Sequence, residues 1–192
     1  KDYGRIVGAV VANCNPFTLG HRYLIEEALK QCDYLHVFVL SDKRTFYSAK
    51  DRYQIVLKGT EDLNRVMVHQ ASDYMVSAAT FPTYYLKEKA FANKANCEFD
   101  LEMFAEIIAP PLKISRRFVG TEPICRVTGS YNTAMKQILP EYGIEVIEIE
   151  RNIQGDEVIS ASRVREAVKN GRFQEAERLV PETTWEYLTQ KS

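Results

Sequence analysis

Ile6-Val7-Gly8-Ala9-Val10-Val11-Ala12-Asn13-Cys14-Asn15-Pro16-Phe17-Thr18-Leu19-Gly20-His21-Arg22-Tyr23-Leu24-Ile25-Glu26-Glu27-Ala28 runs from an apolar stretch through a polar turn into an amphipathic segment. Ile6, Val7, Ala9, Val10 and Val11 are mostly β-branched and too few for a buried helix, which predicts a central parallel strand covered on both faces. Asn13 to Pro16 end the strand with turn formers, Pro16 adding a fixed φ and no donor. Leu19, Tyr23, Leu24, Ala28 and Leu29 then recur at helical spacing, with Thr18 placed to cap that helix.

Gly20 stands one turn into the predicted helix, where it costs roughly 1 kcal/mol relative to alanine. Close approach is one explanation. A residue without a Cβ lets a phosphate reach the N–H groups of a helix start, where the dipole also favours an anion, and Thr18 and His21 would frame it. The other explanation is an incidental glycine beside a surface histidine. Thr18-Leu19-Gly20-His21 by itself does not choose between them.

Its setting adds a resemblance. Thr18-Leu19-Gly20-His21, following Asn15-Pro16 on the first strand-helix turn, resembles the T/H-x-G-H signature of the nucleotidyltransferase superfamily. Ile159-Ser160-Ala161-Ser162-Arg163-Val164-Arg165 resembles that superfamily's second signature, Ile-Ser-x-Ser/Thr-x-Ile/Val-Arg/Lys. The pair implies an α/β fold, a Rossmann-like doubly wound parallel sheet, that binds ATP and directs attack on its α-phosphate. The segments Asn13 to Leu24, Phe118 to Pro123 and Thr128 to Met135 are similar to the C-terminal catalytic domain of citrate lyase ligase, a resemblance covering essentially the whole chain.

That family resemblance implies an ATP-dependent ligase that converts acetate to acetyl-adenylate and pyrophosphate. It then acetylates the prosthetic-group thiol of the citrate lyase acyl carrier protein. On the matching positions it implies that Thr18 and His21 hold the α- and β-phosphates and that Ser160, Ser162 and Arg165 hold the leaving pyrophosphate. Asn13, Asn15, Pro16, Phe17 and Gly20 join them around ATP, and Mg2+ bridges phosphate oxygens through ligands the sequence does not name. Two other readings stay open: an adenylyltransferase acting on phosphopantetheine or a mononucleotide, and a nucleotide-binding module without turnover. No Walker A pattern is present, so a P-loop enzyme is not in play.

Composition sets outer limits. At 192 residues, with 45% hydrophobic and 27% charged side chains, the chain is an ordinary globular protein and is expected to form one catalytic domain. With 25 basic and 26 acidic residues and no Lys/Arg block, no field attracts nucleic acid. No apolar run approaches the about 20 residues of a membrane span. Cys14, Cys32, Cys97 and Cys125 form no CxxC pair and fit a reducing cytoplasm as small inert thiols. The start at Lys1, almost directly on a strand, is expected of a C-terminal piece of a longer protein. In the resembled family an acetyltransferase-like domain comes first.

Farther along, Tyr34 to Leu40 predicts a second strand and Arg65 to Gln70 a third, with a helix from Ser48 to Gly59 between them. Inside these strands His36 reads as a core histidine and His69 as a strand-end group that either faces the nucleotide or bonds a loop. Lys43 and Arg44 lie just past the second strand, at the edge where doubly wound sheets take ligands, and at least one is expected to touch ATP. Thr80 to Pro111 is an aromatic-rich helical insertion, with one helix around Tyr84 to Phe91 and another from Leu101 to Ile108.

Arg116 to Gly120 predicts a fourth strand. Thr121 and Glu122 follow at the same ligand edge, Thr121 as an adenosine contact and Glu122 as a partner for the ribose or a magnesium-bound water. A helix from Asn132 to Leu139 and an edge strand from Ile144 to Glu150 come next. Ser160 and Ser162 would cap a helix from Val164 to Lys169, and short packing helices from Phe173 to Val180 and from Thr184 to Thr189 finish the chain.

Overall fold

The computed structural model describes residues 5–40, 46–70, 94–121, 126–151, 153–154 and 157–190. Strand β1 (Val7–Ala12) leads into helix α1 (Leu19–Leu29), then β2 (Tyr34–Val39), α2 (Ala49–Lys58) and β3 (Val66–Gln70). Helix α3 (Lys94–Met103) runs into a π-helical turn (Phe104–Ile108) ahead of β4 (Arg116–Gly120). Helix α4 (Arg126–Ile138), a 3-10 turn (Leu139–Tyr142) and β5 (Glu145–Ile149) follow. A short antiparallel pair, β6 (Ile153–Gln154) and β7 (Glu157–Val158), precedes α5 (Ala161–Lys169), α6 (Phe173–Arg178) and α7 (Glu182–Gln190).

The five long strands are parallel and lie in the order 3-2-1-4-5. Register aligns Ala12 with Val39, Val39 with Gln70, and Gly120 with Ile149, so all five strands end on one edge of the sheet. The order reverses between β1 and β4. That reversal opens a crevice at the carboxyl edge, the place where such sheets bind ligands.

Strand alternation sends successive side chains to opposite faces, and both faces are covered. Ala9, Phe38, Leu40 and Val119 pack against Leu101, Phe104, Tyr131 and Met135 of the α3 and α4 side. Val10, Leu35, Val37 and Phe118 pack against Ile25 and Ala28 of α1 and Ile55 and Val56 of α2. Helices on both faces make the sheet doubly wound. A third apolar cluster, Ile159, Val164, Ala167, Ala176, Leu179 and Leu188, gathers the last helices and takes in Leu19 at the start of α1. Among the described residues, no helix is long and apolar enough to cross a membrane.

Several local expectations shift. The helix expected over Leu101 to Ile108 begins earlier, at Lys94, and its last part widens to π geometry, with Ala109 N–H donating to Phe104 O at 2.9 Å. The helix expected from Asn132 begins at Arg126, and Pro140 sits inside the 3-10 turn. Two glutamates of β5 pair with cations of neighbouring elements: Glu145 accepts from Arg116 Nε at 2.8 Å and Glu148 pairs with Lys136. The helix expected around Tyr84 to Phe91 falls outside the described residues.

His36 and His69 meet across β2 and β3, Nδ1 to Nε2 at 2.7 Å, and His69 stacks on Phe38 with ring centroids 4.7 Å apart. Burial holds both imidazoles below the usual histidine range, and for His36 the neighbouring ring adds to it. His69 therefore packs into the sheet as part of a histidine pair. On the same face the Arg117 guanidinium lies 4.5 Å over the Phe104 ring.

Phe17, just before α1, is fully buried against the end of α2, where Gly59 leaves it room. A Cβ on Gly59 would stand 2.7 Å from Phe17 Cε1 and 3.0 Å from Ile55 O. Arg22 reinforces this junction by donating to Gly59 O at 2.7 Å while forking onto Asp62. Gly59→Ala is expected to displace the Phe17 ring and cost about 1–3 kcal/mol, the usual range for overpacking, measured by urea denaturation.

Candidate active site

The turn between β1 and α1 passes through Cys14 in the left-handed region (φ 48°) and a cis Asn15–Pro16 peptide. Asn13 and Asn15 are spent on holding it. Arg52 Nη1 donates to both Asn13 O and Asn13 Oδ1 at 2.6 Å, and Arg52 Nε donates to Tyr47 O at 3.2 Å. Tyr47 N–H donates to Asn15 Oδ1 at 3.0 Å, and Arg165 Nη1 donates to Asn15 O at 2.6 Å. Arg52 is fully buried, a placement a guanidinium sustains only when acceptors offset its lost hydration. Its positive charge therefore sits directly beneath the turn.

Thr18 caps α1 as expected, and His21 completes the cap. Thr18 Oγ1 accepts from His21 N–H at 3.3 Å, while His21 Nδ1 accepts from Thr18 N–H at 3.0 Å. This is a capping box with histidine where glutamate is usual. A backbone N–H can only donate, so Nδ1 is the acceptor and the neutral ring carries its proton on Nε2. Burial, followed by the positive charge of Arg151, pushes the His21 imidazole down to about 4. The ring is thus a neutral Nε2–H donor at pH 7, stacked on Phe17 at 5.9 Å.

The first N–H groups of α1 are mostly committed. Leu19 N–H donates to Leu179 O at 3.0 Å, Arg22 N–H to Thr18 O at 3.0 Å, and His21 N–H to Thr18 Oγ1. Gly20 N–H has no protein acceptor among the described residues. The missing Gly20 side chain makes room for the other signature: a Cβ there would stand 3.1 Å from Ile159 O and 3.6 Å from Ile159 Cβ. Close approach explains this glycine, and the neighbour within the chain is Ile159.

Ile159 leads into Ser160, the cap of α5, whose Oγ accepts from Arg163 N–H at 3.3 Å. Ser162 Oγ lies 3.2 Å from Ser160 Oγ, on the exposed side of the first turn. The starts of α1 and α5 are therefore in contact, joined by Gly20 against Ile159 and by Arg165 on Asn15. Thr18, Gly20, His21, Ser160, Ser162 and Arg165, which are far apart in sequence, come together.

Other expected site residues have different places. Phe17 contributes no exposed surface, because its ring belongs to the core and its contact with the site is the stack beneath His21. Pro16 is buried in the turn, a backbone element rather than an open ligand contact. Thr121 bonds inside the protein, its N–H donating to Ile149 O at 2.9 Å and its Oγ1 accepting from Arg151 N–H at 3.3 Å. Lys43, Arg44 and Glu122 lie outside the described residues. Cys14 is buried, and desolvation pushes its thiol up to about 12, which removes it as a nucleophile at neutral pH.

Arg52 and Arg151 escaped the sequence reading. The signal for Arg52 was a charged residue at the buried spacing Arg52, Ile55, Val56 and Gly59 of α2, where a guanidinium needs an internal partner. For Arg151 the only signal was a cation just past a strand end.

A doubly wound parallel sheet with a carboxyl-edge crevice, flanked by two helix starts, defines a Rossmann-like α/β domain. The NadR protein, solved in complex with NR, shares the fold with a TM-score of 0.61 at 16% identity, over 94% of this chain and 44% of that one. TmcAL from Thermotoga maritima, solved with alpha-thio ATP, shares it with a TM-score of 0.52 at 15% identity, over 98% of this chain and 56% of that one.

The chain belongs to the citrate lyase ligase family, whose C-terminal domain matches residues 7–188. It is 44% identical over 194 residues to the [Citrate [pro-3S]-lyase] ligase of Klebsiella pneumoniae, covering 99% of this chain and 57% of that protein. It thus spans little more than half the length of this relative.

Two outcomes follow from the geometry. The unfolded chain takes up a proton on His21 near pH 6.5 while the folded one holds out to about 4, so folding stability falls as pH drops through that window. Wild type is expected to lose more stability than His21→Gln between those limits, and an NMR titration should show a neutral Nε2–H imidazole down to about pH 4. Gly20→Ala should destabilise the fold despite a propensity gain of roughly 1 kcal/mol, because the new methyl meets a backbone carbonyl. Urea denaturation gives its sign.

Proposed function

We propose that this domain activates acetate with ATP for the acetylation of citrate lyase. The observation that carries this reading is the contact between the two helix starts, through Gly20 against Ile159 and Arg165 on Asn15. Together they offer His21 Nε2–H, the Gly20 N–H, the first turn of α5 with Ser160 and Ser162, and the nearby cation of Arg165. Such a set suits a triphosphate whose bridging bond is to be broken at the α-phosphorus. At least one of Lys43 and Arg44 is assigned as a phosphate contact, and Glu122 as a partner for the ribose or a bound water.

In the proposed reaction an acetate oxygen attacks the α-phosphorus in line. The bond from that phosphorus to the oxygen leading to the β-phosphate breaks, and pyrophosphate leaves with the electron pair. Acetate is already ionised at neutral pH, so no base is needed. His21 donates Nε2–H to an α-phosphate oxygen, and the start of α5 with Arg165 holds the departing pyrophosphate. Alignment and preorganised donors supply the acceleration. In a second step the carrier protein's thiol, its proton passed to water, attacks the acetyl carbon, the bond from that carbon to the phosphate oxygen breaks, and AMP leaves with the electron pair.

Mg2+ is assigned to the nucleotide rather than to a protein cage. Among the described residues no group of three or more His, Cys, Asp or Glu side chains is gathered to hold a metal ion. A small hard cation of this kind is commonly carried by phosphate oxygens and water with one or two carboxylates. When bound it would neutralise charge on the phosphates, beside the donors of Thr18, His21 and Ser160.

Pyrophosphate–ATP exchange tests the proposal. The purified chain with magnesium and acetate should exchange label, and His21→Ala should lower that rate by roughly 10²- to 10³-fold, as for a lost transition-state donor. Exchange supported by phosphopantetheine and not by acetate would replace this reading with an adenylyltransferase. ATP binding with no exchange under either condition would reduce the domain to a nucleotide-binding module.

A further inference from the structure

We propose that Arg151, held across the end of β4 at the carboxyl edge of the sheet, is a phosphate-binding residue of this site. The inference rests on the ATP reading above and adds a residue that lies outside both signatures. Arg151 follows β5 at the carboxyl edge of the sheet, two positions past Ile149. Thr121, one position past β4, clasps it: Arg151 N–H donates to Thr121 Oγ1 at 3.3 Å and Arg151 Nε donates to Thr121 O at 2.6 Å. Thr121 is itself tied to β5 through its N–H on Ile149 O at 2.9 Å.

Gly120 permits this arrangement. A Cβ on Gly120 would lie 3.8 Å from Arg151 Cγ and 3.9 Å from Arg151 Nε, so the arginine stem lies across the end of β4. With Nε bonded to Thr121, the plane of the guanidinium is set before any ligand arrives. A preorganised fork loses less freedom on binding an anion than a lysine on a loose stem would.

The charge of Arg151 is felt at His21, where it reinforces burial in keeping the imidazole neutral. A cation and a neutral N–H donor thus flank the crevice, one from β5 and one from α1. The remaining groups on the α1 side are Thr18 in the cap, Arg52 beneath the turn and Arg165 on Asn15 O. An incoming phosphate group would bond the guanidinium and Nε2–H together, and its negative charge would cancel the pressure that Arg151 puts on the ring. Thr121, read from sequence as an adenosine contact, serves here as the clamp of this arginine.

The test uses the purified chain, with ATP and magnesium for the binding arm and without nucleotide for the titration arm. Equilibrium binding of ATP and the Cε1 shift of His21 against pH are measured for wild type, Arg151→Gln and Arg151→Lys. Arg151→Gln is expected to weaken ATP binding by roughly 10- to 100-fold, the range for losing a charge-assisted bond. It should also move the His21 midpoint upward from about 4, short of the free histidine value because burial remains. Arg151→Lys, which keeps the charge without the fork, should fall between the two in ATP affinity and keep the midpoint low.

Unchanged ATP affinity or an unmoved His21 midpoint in Arg151→Gln would overturn the inference and leave the ATP reading standing. A wild type that does not bind ATP would overturn both. Should Arg151→Gln fail to fold, Arg151→Lys decides: wild-type ATP affinity in it overturns the fork, and a loss supports it.

Discussion

The reciprocal cap between Thr18 and His21 is the interaction on which the rest depends. A helix start leaves N–H groups without partners, and here threonine and histidine settle two of them for each other. The same bonds determine the chemistry of the ring. Because Nδ1 is engaged by a backbone donor, the neutral imidazole keeps its proton on Nε2, the nitrogen left for a ligand. Burial of the ring, followed by the charge of Arg151, keeps that proton count constant across physiological pH.

Such a cap has value only if the turn before it stays in place, and distant parts of the chain hold it. Arg52 supports Asn13 from α2, and Arg165 reaches Asn15 O from a position 150 residues farther along. Leu179 O takes the first N–H of α1, and Ile159 lies against Gly20. The last three helices therefore do more than close the core. They press the second signature onto the first, so that the two helix starts lie in contact. Removal of a Cβ at Gly20 is the steric condition for that contact.

Membership in the citrate lyase ligase family fits this arrangement without deciding each residue's part in it. The chain spans 57% of its Klebsiella pneumoniae relative, so the described geometry belongs to the portion that carries both signatures. Within that portion, two arginines outside both signatures stand close to them. Arg52 works from below as a buried support, and Arg151 comes from the opposite strand end.

Sequence by itself determined the parts whose physics is local. The nearly unbroken apolar run Val7 to Ala12 reads as a covered strand, and Thr18 ahead of a helical repeat as its cap. Ser48 and Ser160 start their helices for the same reason. The two signatures, read in order, also pointed to the residues that meet at the crevice. Tertiary structure decided what depends on partners distant in the chain. Strand order 3-2-1-4-5, the true neighbour of Gly20, the burial of Phe17 and Arg52, and the clasp of Thr121 on Arg151 are all contacts between separate segments. Periodicity and capping patterns report on neighbours within a turn or two, whereas the tautomer, charge state and access of a side chain depend on groups that only the folded chain brings within a few ångströms.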